Sequence, residues 1–144
     1  MSQHVRVRDL LEERAAAMRT GDADRIVADY LPDAVTFTLA PPLKHTAPEV
    51  TDPEAMRAWF ASFAGGLEYE MRDLEVVVDG GLAFCHSLNR MSAVPQGATE
   101  AFTLWFRSTV CLRHVDGVWR IAHEHTSTPF YMDGNFGAAL DLEP

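Results

Sequence analysis

The second half of this sequence consists of segments in which apolar and polar residues alternate. These segments cover residues 67–78, 82–94, 99–114 and 118–127, and they are rich in Val, Thr, Phe and Trp. Short turn sequences separate them, namely Asp79-Gly80-Gly81, Pro95-Gln96-Gly97 and Asp116-Gly117. A period of two residues with such turns predicts four consecutive antiparallel strands. This meander constrains the fold more than any other feature, because the rest of the chain must cover its apolar face.

The first half supplies helices that can cover this face. Residues 5–19 carry apolar side chains at helical spacing and stop before Gly21, and Asp22 can cap a short second helix that ends at Pro32. Residues 35–39 then predict a short strand, and the proline-rich residues 40–48 predict a loop.

A third helix has the clearest signals. It begins at a capping box, Thr51-x-x-Glu54, and it carries one apolar stripe made of Met56, Trp59, Phe60 and Phe63. Three helices followed by a meander predict an α+β fold, in which the helices pack on one face of a curved antiparallel sheet.

Length and composition exclude several classes of protein. The 144 residues fit a single domain, and 47% hydrophobic residues argue against disorder. The 12 basic and 21 acidic residues give a net charge of −9, which disfavours binding to nucleic acid or to an anionic membrane. The chain shows no signal peptide, and Cys85 and Cys111 form no disulfide framework. We therefore expect a cytoplasmic protein.

The Asp116-Gly117 turn allows the register of the last hairpin to be predicted. A two-residue turn pairs Val110 with His123 and Ser108 with His125, which places both histidines on the more apolar face of the sheet. If Pro95–Gly97 is a three-residue turn, His86 joins them on that face. Three histidines would then point from an apolar surface toward the helices. A bulge of one residue would move every later side chain to the other face.

Imidazoles that converge on an apolar face indicate a ligand pocket with acid–base chemistry. Burying such rings without a partner costs about 1–3 kcal/mol each, and histidine can transfer protons near neutral pH. In this register Glu124 and Arg107 lie on the opposite face as an ion pair. A bulge after His123 would instead turn Glu124 into the cavity, so the candidate catalytic residues are His86, His123, His125 and Glu124.

Two other chemistries fit the sequence less well. The His123-Glu124-His125 sequence is similar to a His-x-His metal motif, but no further His follows it, so no metal site is expected. Ser108 with His125 lacks a nucleophile elbow and an acidic partner on the same face, which disfavours a hydrolase triad.

Several motifs resemble those of the nuclear transport factor 2-like superfamily, and in particular its SnoaL-like, ketosteroid isomerase-homologue branch. They extend from about residue 5 to residue 128, with residues 129–144 as a tail, and the C-terminal motif also resembles the calcium/calmodulin-dependent kinase II association domain. The motifs are Tyr30-x-Pro32-Asp33-Ala34-Val35, His86-Ser87-Leu88-Asn89-Arg90, Trp105-x-Arg107-x-Thr109 and Gly117-x-Trp119-x-Ile121-x-His123-Glu124-His125-x-Ser127.

The resemblance implies a cone-shaped α+β barrel around a pocket, and a homodimer formed through the outer face of the sheet. Enzymes of this superfamily mostly isomerise, cyclise or dehydrate small organic molecules without cofactors. The chain departs from the steroid isomerases, because Thr38 stands where they carry the base Asp and Arg14 where they carry a Tyr. Their mechanism therefore does not transfer to this chain.

We expect a cofactor-independent enzyme that performs acid–base chemistry on a small, mostly apolar molecule. The alternative is a non-catalytic ligand-binding or oligomerisation module, like the kinase association domain. No nucleic acid, membrane, metal or cofactor is expected as a partner. The residues expected to contact the ligand are Tyr30, Trp59, Phe63, Phe84, Asn89, Arg90, Phe106, Arg107 and Trp119.

Overall fold

A computed structural model describes all 144 residues and contains three α-helices and five strands. The helices come first, with β1 between the second and third helix, and a single 3₁₀ turn at Glu49–Thr51 precedes the third helix. The elements are α1 (Gln3–Thr20), α2 (Ala23–Ala28), β1 (Tyr30–Phe37), α3 (Pro53–Ala61), β2 (Phe63–Asp79), β3 (Leu82–Pro95), β4 (Phe102–Val115) and β5 (Val118–Ser127).

The five strands form one mixed sheet in the order β1-β5-β4-β3-β2. Strands β2 to β5 form the predicted antiparallel meander, and β1 pairs with β5 in parallel. The predicted α+β class with helices on a curved sheet is confirmed. Register shifts in β2, at Ala64/Leu67 and Arg72/Glu75, mark irregular positions that help a long strand to bend.

The boundaries of two early elements differ from the prediction. Helix α2 ends at Ala28 rather than at Pro32, and β1 begins at Tyr30. Pro32 lies in the irregular part of β1 between Tyr30 and Val35, where no ladder pairing requires its missing N–H. The cap of α3 lies one residue later than predicted, because the Asp52 side chain accepts the hydrogen bond from the Glu54 N–H at 2.9 Å.

The connection between β3 and β4 is longer than a three-residue turn. Strand β3 ends at Pro95, β4 begins at Phe102, and Ala93 pairs with Phe102. This register pairs Cys85 with Val110 and His86 with Thr109, whereas the predicted turn would have placed His86 on the face of Val110. The predicted face of His86 is therefore wrong, because a loop of different length changed the pairing by an odd number of residues.

A bulge at Ala122 changes the second part of the last hairpin. Leu112 pairs with Ile121 as predicted, but Cys111 then pairs with His123 and Val110 with Glu124. The extra residue turns His123 and His125 away from the face that carries Val110. The predicted pairing is therefore correct from the turn to Ile121 and wrong beyond it.

The solid core occupies the end of the sheet near the turns, beneath the first half of α1. Its members are buried apolar side chains from α1 and β2 to β5, namely Val7, Leu11, Val76, Ala83, Cys85, Val110, Leu112, Trp119 and Ile121. The second half of α1 lies over the other end of the sheet, where a cavity replaces the core. No helix of the chain is long and apolar enough to cross a membrane.

Candidate functional site

A cavity of about 490 Å³ lies between the helices and the concave face of the sheet. This volume falls in the range of small-molecule sites. Its wall is mostly apolar, and it includes four methionines, whose flexible side chains adapt to ligands of different shape. The apolar and aromatic residues of the wall include Leu11, Met18, Ile26, Met56, Trp59, Met71, Met91, Phe106 and Val110.

Glu124 is the carboxylate of the inner sheet face, and a network of polar groups holds it. Its Oε1 accepts a hydrogen bond of 2.8 Å from the Tyr30 hydroxyl, and its Oε2 lies 3.6 Å from Nη2 of Arg14. Arg14 also donates to the Ile26 carbonyl at 2.7 Å, to the Asp29 carboxylate at 3.2 Å and to the Tyr30 oxygen at 3.1 Å. The network fixes the position of Glu124 and balances its negative charge.

The electrostatics of this network follow from burial and from charge pairing. Burial by itself lowers the pKa of the Arg14 guanidinium, but Tyr30, Glu124 and Asp29 outweigh burial and raise the pKa above its ordinary value. Burial raises the pKa of Tyr30, and the neighbouring Glu124 carboxylate raises it further. Arg14 therefore remains charged and Tyr30 remains a hydrogen-bond donor at any physiological pH.

Tyr69 belongs to a second polar group on the opposite part of the wall. The Ser87 hydroxyl donates to Asn89 Oδ1 at 2.7 Å, and Asn89 Nδ2 donates to the Tyr69 oxygen at 2.6 Å. Nothing in the protein accepts the hydrogen of the Tyr69 hydroxyl. Burial raises the pKa of Tyr69 to about 12, although the Asn89 hydrogen bond works in the opposite direction. Tyr69 therefore offers the cavity one neutral donor, polarised by a chain of hydrogen bonds.

The three predicted catalytic histidines lie on the outer face of the sheet. His86 and His125 are both opposite Thr109 on neighbouring strands, and both are exposed. His123 is half-buried, with its Nδ1 2.6 Å from the Val35 carbonyl oxygen and its ring 4.7 Å from the ring of Phe37. None of the three lines the cavity. Of the four candidate catalytic residues, the structure brings only Glu124 into the cavity.

The predicted ligand-contacting residues divide into two groups. Tyr30, Trp59, Asn89 and Phe106 line the cavity. The others lie elsewhere. Phe63 packs against Trp59, and Trp119 is buried in the core, where its Nε1 donates to Gln3. On the outer face, Phe84 is 47% exposed, Arg90 pairs with Glu70 at 3.2 Å, and Arg107 is exposed. Phe84 and Arg90 follow the same change of register as His86, whereas Arg107 lies on the outer face, where the register of the last hairpin predicted it.

Two polar residues that dominate the wall, Arg14 and Tyr69, are not among the predicted site residues, although Arg14 marks a departure from the steroid isomerases. Arg14 occupies a buried position of α1 one turn after Leu11, and a cation within such an apolar stripe usually has a buried partner. Tyr69 alternates with charged residues at the start of the meander, and nothing in that pattern distinguishes it from a structural tyrosine.

The His-Glu-His sequence is divided between the two faces of the sheet, with Glu124 inside and both histidines outside. No group of three His, Cys, Asp or Glu side chains is arranged to hold a metal ion.

Comparisons with known proteins agree with this architecture. A family model described as a SnoaL-like domain matches residues 7–131. A solved NTF2-like protein of unknown function from Pseudomonas putida KT2440 is similar, with a TM-score of 0.84, 29% identity, and coverage of 98% of this chain and 96% of that one. No curated protein matches the sequence at a significant level.

Two more distant structures share the fold. A ketosteroid isomerase-like protein from Erwinia carotovora atroseptica SCRI1043 has a TM-score of 0.73 at 17% identity, covering 88% of this chain and 95% of that one. A candidate calcium/calmodulin dependent protein kinase II association domain from Xanthomonas campestris has a TM-score of 0.70 at 18% identity, covering 84% of each chain. With the family match over most of its length, the chain belongs to the SnoaL-like domain family, within the NTF2-like fold.

Proposed function

We propose that this protein binds a small, mostly apolar ketone in its cavity and transfers a proton on it as a cofactor-independent isomerase or lyase. One observation carries the proposal: a carboxylate and an uncommitted hydroxyl donor share one apolar cavity. Such a pair can remove a proton from the carbon next to a carbonyl and stabilise the enolate that forms.

The proposed roles follow from the partners of each group. Tyr69 donates its free hydroxyl hydrogen to the ketone oxygen, and Asn89 and Ser87 hold the phenol in place behind it. Glu124 accepts the proton with Oε2, which has no hydrogen-bond donor closer than Arg14 Nη2 at 3.6 Å. Tyr30 holds the other carboxylate oxygen. Trp59, Phe106 and the methionines exclude water around the apolar part of the ligand.

Hydrogen exchange into a simple ketone tests these roles. Benzylacetone in deuterium oxide exchanges the hydrogens next to its carbonyl, and proton NMR follows their loss. We expect the protein to accelerate this exchange, Glu124→Gln to slow it by about 100-fold or more, and Tyr69→Phe to slow it by a similar factor. His123→Gln is the matched control, because it changes the adjacent residue on the outer face. Glu124→Gln with wild-type exchange would overturn the proposal.

A second candidate function is supported by the partners of Glu124. Both carboxylate oxygens already face Tyr30 and Arg14, as they would in a bridge that only stabilises the fold of a binding module. In that case benzylacetone would quench the fluorescence of Trp59 in a saturable way, and deuterium exchange would match the rate in buffer. The two measurements together separate an enzyme from a binding module.

A further inference from the structure

The loop after β1 brings a histidine to the cavity that the proposed reaction has not used. His45 exchanges two backbone hydrogen bonds with Thr36, of 3.0 and 2.9 Å, and so adds one rung beyond the edge of the sheet. On its other side Thr36 pairs with Glu124. Paired residues point to the same face, and all three line the cavity. At about 4.8 Å per strand, the backbones of His45 and Glu124 lie roughly 10 Å apart.

The His45 ring is held by groups that suit both of its protonation states. Its Nδ1 lies 3.0 Å from the Glu49 carboxylate, which keeps a hydrogen on that nitrogen. Its Nε2 lies 3.2 Å from the Thr38 hydroxyl and 3.4 Å from the Ala40 carbonyl oxygen. The Thr38 hydroxyl has one hydrogen, which it can donate either to the Ala40 carbonyl oxygen at 3.2 Å or to a neutral Nε2, and a protonated Nε2 can donate to Ala40. The ring can therefore gain or lose a proton without moving.

The surroundings of His45 differ from those of the outer-face histidines. Its side chain is only 12% exposed, whereas Glu49 behind it is 57% exposed and reaches solvent. Thr38, Ala40 and Glu49 also line the cavity. The Thr38–His45–Glu49 group is thus an acid–base group in the wall, two strand spacings from Glu124, with Thr36 between them.

We propose that His45 is the catalytic acid of this cavity and that the reaction is the loss of water from a β-hydroxy ketone. The inference rests on the proposed function, because it keeps Glu124 as the base and Tyr69 as the donor to the ketone. Glu49 is a positioning residue that acts through His45.

The step balances in atoms and electrons. Glu124 takes the proton from the carbon between the ketone and the hydroxyl-bearing carbon, and the electrons of that C–H bond form a C=C bond. The C–O bond breaks with its electron pair on oxygen, and the Nε2–H of His45 protonates the departing hydroxide. The products are an unsaturated ketone and one water molecule. Glu124 then loses its proton and His45 regains one through solvent, so no oxidant or reductant is needed.

Two related probes separate this inference from the proposed function. The aldol adduct of benzaldehyde and acetone loses water to give benzylideneacetone, whose conjugated absorbance is easily followed. Benzylacetone has no leaving group, and its deuterium exchange needs only Glu124 and Tyr69. We expect His45→Gln to slow the loss of water by about 100-fold or more and to leave deuterium exchange close to wild type. His86→Gln, the control on the outer face, should change neither reaction.

The other possible results contradict either the role of His45, the dehydration reaction or the proposed function. If His45→Gln releases benzylideneacetone as fast as wild type, or loses deuterium exchange to the same extent, His45 is not the acid. If the wild-type protein exchanges deuterium but forms no benzylideneacetone above the rate in buffer, the dehydration is wrong and the proposed function stands. If it does neither, both proposals fail. The exchange reaction also reports whether the variant is folded.

Discussion

At the scale of single residues, Arg14 determines the electrostatics of the cavity. It is 9% exposed and joins Asp29 at the C-terminal end of α2, Tyr30 in β1 and Glu124 in β5. Asp29 has a second cation, Arg25, whereas Glu124 has only Arg14. Loss of the guanidinium would therefore leave the Glu124 carboxylate in an apolar cavity without a countercharge, which costs far more than loss of an exposed ion pair.

Replacing Arg14 by Met should destabilise the protein by about 3 kcal/mol, as expected when one partner of a buried charge network is removed. Urea unfolding at neutral pH measures the change. Arg57→Met is the control, because Arg57 also bonds two carboxylates, those of Asp24 and Glu54, but at an exposed site. Its effect should be far smaller. Equal losses in the two variants would contradict the view that burial gives Arg14 its importance.

The residues of the site could be predicted only in part. Glu124, Asn89 and Trp59 were candidates from the sequence, and all three line the cavity. His86, His123 and His125 do not, because an alternating pattern indicates that two faces exist without indicating which residues face inward. Tyr69 becomes a candidate donor because Asn89, which is 20 residues away in the chain, hydrogen-bonds to its oxygen. Such pairings depend on the register between strands, which local sequence does not determine.

At the scale of the elements, helix starts, turns and strands were predictable because their signals are local. Asp22 caps α2, and the Asp116-Gly117 turn pairs Val115 with Val118, both as predicted, while α1 starts two residues before the predicted residue 5, with Ser2 as its cap. Two features were not predictable from such signals. The six residues between Pro95 and Phe102 and the extra residue at Ala122 are set by the fit between neighbouring strands. The longer loop changed the face of His86, and the bulge changed the face of His123 and His125.

Gly21 provides a test at this scale, because it ends α1 with a left-handed backbone, φ 70°, and directs the chain into α2. An added Cβ would meet the Phe60 ring at 3.8 Å, an ordinary contact, so the penalty comes from the backbone alone. Gly21→Ala should lower the free energy of unfolding by about 1–2 kcal/mol. In Gly81→Ala, at an open position without a positive φ, the change should stay below about 0.5 kcal/mol. Urea unfolding compares the two, and similar losses would contradict the explanation.

At the scale of the whole molecule, the fold keeps several weak acids neutral inside it. Burial raises the pKa of Cys85 to about 11 and of Tyr69 to about 12, and it raises the pKa of Tyr30 as well. A raised pKa in the folded state means that the folded protein holds the proton more tightly than the unfolded chain does. The stabilisation is complete below the unfolded values, about 8.5 for Cys and 10 for Tyr, and is lost as the pH rises toward the folded values.

The free energy of unfolding should therefore fall steadily between about pH 8.5 and 12. Urea unfolding at intervals of pH measures this slope. Cys85→Ala should remove the part of the fall that begins near pH 8.5, and Tyr69→Phe should reduce the part that begins near pH 10, to which Tyr30 also contributes. The comparison uses the slopes, since both substitutions also change packing. A stability that stays constant across this range in the wild-type protein would show that these groups are not held neutral by burial.

The outer face of the sheet exposes apolar side chains that a second protein chain could cover. Leu82, Phe84 and Val77 are 62%, 47% and 46% exposed and neighbour one another on β2 and β3. We propose that a second copy of the chain covers this face, as the resemblance to the superfamily implies. Sedimentation equilibrium should then give the mass of two chains, and the mass of one chain would contradict the proposal. The histidines of the outer face would then belong to an interface rather than to the ligand.

The bulge at Ala122 also affects how relatives of this protein can be compared. A relative whose β5 has the same number of residues but no bulge would keep the same His-Glu-His sequence, yet it would present both histidines to the cavity and turn the glutamate outward. Two family members with identical motifs could therefore use different acid–base groups, whereas a relative that lacks both the bulge and its extra residue would keep the glutamate in the cavity. Functional residues in this family should be transferred between members by strand pairing and not by aligned letters.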